Sequence, residues 1–269
     1  MAPLKVGIIG CGSIGTLIAK AIDMDEDFAL SFLMDEDGSK ATELSGKLKS
    51  KPSVVSSVSA MKGASLVIEA ASQECVREHA QTILSKSDIM IMSVGALADP
   101  NLLNSIRKAA EEGGKRIYIP SGAIAGLDGI RAVAGSAEKV TLTTRKNPLA
   151  FEGVPWIAEK DIALRSIKKP TVIFEGTAAE AAELFPVNIN VAMSLSLAGI
   201  GPEKTRVKIL ADPFIKENIH EVEAEGPFGK MLFRTENAVS SENPRTSQLA
   251  GLSAVAMLKG IAQSMRVGT

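Results

Sequence analysis

The stretch LKVGIIGCGSIG, Leu4 to Gly15, decides the fold of this chain. Its first six residues, Leu4 to Ile9, form a short apolar strand. Gly10, Gly12 and Gly15 follow in the spacing G-x-G-x-x-G, and the next residues, TLIAKAI, have helical periodicity. Gly10 permits a tight turn, Gly12 lets a pyrophosphate approach the backbone, and Gly15 lets the helix pack closely on the strand. Ser13 and Ile14 complete the loop, and the helix start offers unpaired N–H groups and a positive dipole end to phosphates. The pattern alone is weak. Strand before and helix after are the context it requires, and they make this a dinucleotide site.

A second strand, FALSFLMD, ends in Asp35 about 20 residues past the last glycine, where a carboxylate can accept hydrogen bonds from the adenosine ribose. Glu36 and Asp37 stand beside it with no Arg or Lys in that triplet, so a 2′-phosphate would meet negative charge. The expected cofactor is therefore NAD rather than NADP. The alternation then continues: a helix in SKATELSGKLK, a strand in LVIEAAS, a helix in ECVREHAQTIL, a strand in DIMIMSVG, a helix in DPNLLNSIRKAAEEG capped near Asp99, and a strand in RIYIPSG. This predicts a doubly wound parallel sheet of α/β class. Ligands lie at the carboxyl ends of such strands, which adds Ala71 and Ser72, in EAASQE, to the cofactor-contact candidates.

After Gly122 the rhythm changes. KVTLTTRKN, TVIFEG, TRVKILADP, ENIHEVEAEG and KMLFRTENA read as longer alternating strands, with EGPFGKM turning between the last two to make an antiparallel pair. Helical segments fall in TAAEAAELF and after PVNINVAMSLSLAGIG, while Pro148 to Pro170 reads as an insertion or long loop. The expectation is a second α+β domain with a largely antiparallel sheet. The final segment, NPRTSQLAGLSAVAMLKGIAQSM, is a helix whose small and apolar surface needs burial. It is expected to pack back on the first domain, giving a discontinuous nucleotide domain at 1–121 plus 245–269 and a substrate-binding and dimerisation domain at 122–244.

Composition excludes several function classes. Hydrophobic residues make up 45% and charged residues 23%, as in ordinary globular chains. Aromatic residues are too few, and Lys and Arg too scattered at a net charge of -1, for a nucleic-acid partner. Cys11 and Cys75 alone cannot build a disulfide framework or a zinc site, and both read as small buried hydrophobes in a reducing compartment. The opening MAPLKVGIIG shows no cleavable signal, and the most apolar later stretch, INVAMSLSLAGIG, is too short to cross a bilayer. A soluble cytoplasmic protein without membrane or metal is expected.

Chemistry concentrates on few residues. His220 is one of two histidines. Strand alternation in ENIHEVEAEG puts His220, Val222 and Ala224 on one face and Glu221, Glu223 and Glu225 on the other. The imidazole is then either packed core or a proton-transfer group lining a cleft. A chain with a dinucleotide site needs such a group near neutrality, which favours catalysis. His79, mid-helix, reads as a surface residue. Cations that could hold an anionic substrate are Arg145, Lys146 and Arg245, with Lys146 better read as a surface charge. Asn188 and Asn190 lie inside an apolar run, where an amide either caps a helix or faces a ligand.

Taken together, GIIGCGSIG, EAASQECVREHA, SGAIAGLDGI, TLTTRKN, VIFEGTAAEAAELFPVNINVA, ENIHE and ENPRTS run along nearly the whole chain. In them the chain resembles the L-aspartate dehydrogenases, relatives of the homoserine dehydrogenase and dihydrodipicolinate reductase group. FPVNINVA and ENIHE together carry most of the specificity. The resemblance implies NAD(P)-dependent oxidation of L-aspartate to iminoaspartate, which yields oxaloacetate and ammonia or feeds NAD biosynthesis. It also implies a homodimer and members that accept both cofactors. It places His220 on the family's catalytic histidine, and Ala123 and Asn190 on its cofactor-contacting positions, with Asn188 as a neighbour able to share the role. Alternatives are a reductase or dehydrogenase of the dihydrodipicolinate or homoserine type, and a non-catalytic NAD-sensing module that would keep the glycines and Asp35 without needing His220.

Overall fold

The computed structural model describes residues 2–185, 189–238, 247–265 and 267. They divide into two compact units, 1–120 with 251–269, and 121–250. In the first unit six strands, β1 (Leu4–Ile9), β2 (Phe28–Met34), β3 (Ser53–Val54), β4 (Leu66–Glu69), β5 (Asp88–Ile91) and β6 (Ile117–Tyr118), form a sheet in the order β3-β2-β1-β4-β5-β6. Every pair is parallel. A parallel sheet covered on both faces demands strands that are apolar throughout, and all four residues of β4 are buried.

The crossovers are α1 (Ser13–Asp23), α2 (Gly38–Lys47), α3 (Gln73–Leu84) and α4 (Pro100–Gly113). Local chemistry sets their ends. Asp99 caps α4 by accepting from Asn101 N, Pro100 occupies a first-turn position where its missing N–H costs nothing, and Gly114 closes the helix in the left-handed conformation. Two strand readings shorten. β6 is only Ile117–Tyr118, and the chain after β5 turns into a 3-10 segment, Val94–Ala98, where an apolar run looked like continuing strand. Helix α9 (Gln248–Ala262) supplies Ala254 and Leu258, both fully buried, to the core built around Ile8, Ile18 and Leu33. Gly251 lets it approach Leu17, since a Cβ there would stand 3.1 Å from a Leu17 methyl.

The second unit holds β7 (Lys139–Lys146), β8 (Thr171–Thr177), β9 (Arg206–Ala211), β10 (Asn218–Gly226) and β11 (Gly229–Asn237), in the order β11-β10-β7-β9-β8. Its pairs are antiparallel except β7 with β9. Along β7, Val140, Leu142, Thr144 and Lys146 are buried and the residues between them are not, the period-2 signature of a sheet with one covered face. Helices α5 (Leu127–Val133), α7 (Ala178–Leu184) and α8 (Asn190–Ala198) accompany it, α7 starting at a capping box between Thr177 and Glu180. The stretch 148–170, expected as loop, folds into short helical pieces including α6 (Pro155–Glu159), with Phe151, Ile157 and Leu164 buried.

Candidate active site

The glycine loop of the first unit has the shape a dinucleotide needs. Gly10 sits at φ +96°, and a Cβ on it would lie 2.4 Å from the carbonyl oxygen of Ala70, so no other residue fits. A Cβ on Gly15 would lie 1.8 Å from the Gly10 carbonyl oxygen. Gly12, by contrast, faces open space, with nothing within 4 Å of its Cβ position, and is exposed. Gly12 is the N-cap of α1, no side chain caps that helix, and its first turn contains no acidic residue. The N–H groups of Ser13 and Ile14 begin this helix, whose positive dipole end favours an anion. These residues fit a dinucleotide's pyrophosphate.

Asp35 follows β2 directly. Its carboxylate accepts from Cys11 N at 2.7 Å and from Asp37 N at 3.0 Å, tying the glycine loop to the end of β2. A carboxylate has room for further donors, so a ribose hydroxyl can still be accepted. Asp37 caps α2, taking Ser39 N at 3.1 Å and Ser39 Oγ at 2.6 Å, and those bonds hold its carboxyl below the usual range. Lys40, in the first turn of α2, exerts its field on both Asp37 and Cys11. A cation is thus present in this neighbourhood, beyond the acidic triplet. The Cys11 thiol, buried and facing Asp35, is pushed up to about 12 and is inert. Cys75, expected as buried, is only half-buried.

Ala71 and Ser72 are exposed in the loop after β4, where the Ser72 hydroxyl caps α3 by accepting from Cys75 N at 3.2 Å. Between this loop and the one after β5 lies Glu69, the last residue of β4, with no exposed surface. It accepts from Ala71 N at 2.8 Å, Ser93 N at 3.0 Å and Ser93 Oγ at 2.8 Å. Burial raises its pKa, while hydrogen bonds from Ser93, Ala71 and Ser72 pull the other way. In the sequence Glu69 looked like part of an apolar strand.

In the second unit, register assembles a polar face. His220 stands opposite Thr144 on β7 and Thr235 on β11, and Asn218 opposite Asn237. His220 is 4% exposed, and its Nδ1 lies 3.0 Å from Thr144 Oγ1. Burial first, and the charge of Lys146 second, push the imidazole down to about 3, so it is neutral throughout the ordinary pH range. Ala123 is buried beside this face, its carbonyl accepting from Thr235 Oγ1 and from Asn237 Nδ2, each at 2.9 Å. The side chain of Asn218 reaches Ser247 Oγ at 3.5 Å.

The cations are arranged differently from expectation. Lys146, taken as a surface charge, is 7% exposed and shares the parity of Thr144, on the His220 face. Arg145 takes the opposite parity and pairs with the buried carboxylate of Asp212 at 3.5 Å. The signal was available: in KVTLTTRK, Lys146 follows Val140, Leu142 and Thr144 at intervals of two. Asn190 opens α8 as its first residue and is half-buried. Asn188 and Arg245 lie outside the described residues. His79 is a partly exposed residue of α3, 3.6 Å from Glu78. Among the described residues no cluster of His, Cys, Asp and Glu could hold a metal ion, and no helix is long and apolar enough to cross a membrane.

Comparison with known proteins identifies the arrangement. Residues 10–120 match the family described as homoserine dehydrogenase, NAD binding domain, and residues 128–261 match aspartate dehydrogenase, C-terminal. The chain is 48% identical to the L-aspartate dehydrogenase of Methanococcoides burtonii over 99% of its own length and 100% of that protein's. The chain belongs to the L-aspartate dehydrogenase family. The L-aspartate dehydrogenase of Nitrosopumilus maritimus is 45% identical across 98% of this chain and 99% of its own. Among solved structures, aspartate dehydrogenase from Thermotoga maritima superposes with a TM-score of 0.77 at 30% identity, covering 98% of this chain and 99% of that one. A homoserine dehydrogenase from Thiobacillus denitrificans, at 14% identity and a TM-score of 0.63, shares the fold.

Proposed function

We infer that this chain is a pyridine-nucleotide-dependent L-aspartate dehydrogenase that oxidises the Cα–N bond of L-aspartate to iminoaspartate. Water then converts the imine to oxaloacetate and ammonia. The observation that carries the reading is the buried face of the second sheet, where a neutral imidazole and an ammonium lie together in a chain that also carries a dinucleotide loop. A bound NAD+ supplies the acceptor for the hydride that leaves Cα. The residues of this chain do the rest. Gly12 and the start of α1 receive the pyrophosphate, and Asp35 the adenosine ribose. Ala123, Asn190, Ala71 and Ser72 are the proposed contacts to the rest of the cofactor.

His220 is the proposed proton acceptor. Thr144 orients the ring: with Nδ1–H donated to Thr144 Oγ1, the lone pair of Nε2 is the one offered to the substrate ammonium, directly or through water. An imidazole with a pKa of about 3 is a weak base. A dicarboxylate substrate relieves the smaller of the two causes, the charge of Lys146, and leaves the larger, burial, in place. One carboxylate paired with Lys146 offsets the cation that depresses the ring, and adds negative charge that favours its protonated form. The base therefore strengthens when the correct substrate arrives. Lys146, on this face, is a better candidate for the carboxylate than Arg145, while Arg245 and Asn188 remain proposed for the second carboxylate.

Asp35 with Glu36 and Asp37 supports NAD over NADP, and Lys40 tempers the preference without reversing its sign. We further propose that the second unit binds substrate and mediates a cytoplasmic homodimer, which light scattering measures directly. The activity is tested by absorbance of NADH formed with a panel of amino acids. Aspartate alone should give strong turnover. Homoserine as the preferred substrate would move the chain to the related dehydrogenases, and NADH binding without any turnover would make it a sensing module.

A further inference from the structure

We propose that Glu69 is a positioning residue for the dinucleotide, its carboxylate holding the loops after β4 and β5 in the shape that receives the cofactor. The proposal rests on the reading of the chain as a pyridine-nucleotide enzyme. Glu69 stands in register with Ile9, the residue before Gly10, at the break between the two halves of the sheet. That break, outside the strand carboxyl ends, is where doubly wound sheets bind ligands. An apolar residue would suit the end of a buried central strand better, since a carboxylate there is costly to desolvate.

The sheet ladder does not require Glu69: its backbone pairs with both neighbouring strands whatever its side chain. What requires it are the donors above it. Ala71 N belongs to the loop after β4, and Ser93 N and Oγ to the loop after β5. One carboxylate thus joins two loops that have separate origins. The effect reaches the glycine turn as well. Ala70 N donates to Ile9 O at 2.7 Å, and the Ala70 carbonyl is the atom that a Cβ at Gly10 would strike. A shift of the Ala70–Ser72 segment would move the wall against which Gly10 is packed.

Glu69→Gln keeps the volume and removes one acceptor oxygen. Whichever way its amide turns, an NH2 group faces at least one N–H donor. The expected result is a rise of about tenfold or more in the NADH dissociation constant, read by fluorescence titration at a temperature where circular dichroism shows the variant folded. The Michaelis constant for aspartate at saturating NAD should stay within about twofold of wild type. A lower melting temperature with unchanged NADH affinity would make Glu69 a purely structural residue and overturn the proposal. If Glu69→Gln does not fold, Ser93→Ala decides: it keeps the Ser93 N–H and removes only the hydroxyl. NADH affinity about threefold or more weaker supports the proposal, and unchanged affinity overturns it. A wild-type chain that binds no NADH would defeat the nucleotide reading itself, a result separable from failure of the variants alone.

Discussion

Thr144 and His220 are direct cross-strand partners, and the hydroxyl of one lies 3.0 Å from Nδ1 of the other. The pair fixes the ring plane without supplying a charge. Thr144→Val should leave NADH affinity unchanged and lower turnover by about tenfold, because the ring loses the hydrogen bond that holds its orientation. His220→Asn should fold, bind NADH and lose about 10²–10⁴-fold in turnover, the usual worth of a general base. Turnover within a few-fold of wild type for His220→Asn would return the histidine to the core.

The acid side of the stability profile should carry the same histidine. The folded protein holds its pKa near 3, whereas the ordinary value is 6.5. As pH falls below about 6.5 the unfolded chain takes a proton that the folded chain refuses, so stability fully present above that pH drains away down to about 3. Denaturant melts of wild type and His220→Asn across this window should differ in slope, with wild type the steeper. Parallel slopes would mean that the ring is not desolvated in solution.

Substrate charge should lessen the part of that depression that Lys146 causes. Succinate, a dicarboxylate that cannot be oxidised at an amine, should raise the His220 pKa when it binds with NAD, as followed by the imidazole resonances in NMR. No movement on saturation would separate Lys146 and His220 from the substrate site.

The two neighbouring cations should behave differently. Lys146→Met should raise the Michaelis constant for aspartate about tenfold or more, since a charge-assisted contact is worth about 1.5–3 kcal/mol. Arg145→Met should instead lower the melting temperature, leaving the buried carboxylate of Asp212 without its ion pair, and change the Michaelis constant little. Exchange of these two phenotypes would restore the first reading of β7.

Asp35→Ser should narrow the preference for NAD over NADP. Asp35 also anchors Cys11 N and Asp37 N, so some affinity for both cofactors should fall together. Equal loss for the two, with their ratio intact, would assign Asp35 to loop anchoring alone.

The order of strands and helices in the first unit could be read from the sequence because each buried strand is a short apolar run bounded by loop residues. β3 could not, as a two-residue edge strand carries no periodicity. The short pieces of 148–170 escaped for a related reason: helices of five residues or fewer show less than two turns of pattern. At the site, the glycines and His220 stood out by type and spacing. Lys146 was passed over because its charge argued for exposure against its strand parity, and Glu69 because it lay inside a strand and its hydrogen-bond donors come from two loops, one of them distant in sequence. Residue type suggested a cation near the substrate, and only strand parity chose between Arg145 and Lys146.

Helix α9 has a consequence for the order in which the molecule matures. Ala254 and Leu258 complete a core whose other members, among them Ile8, Ile18 and Leu33, leave the ribosome first. The nucleotide unit is therefore translated almost entirely before it can close, and it waits with an uncovered apolar surface while the intervening unit is made. The second unit, continuous in the chain, meets no such delay. A released chain that ends before residue 248 should hold a protease-resistant second unit and a first unit that is still digestible.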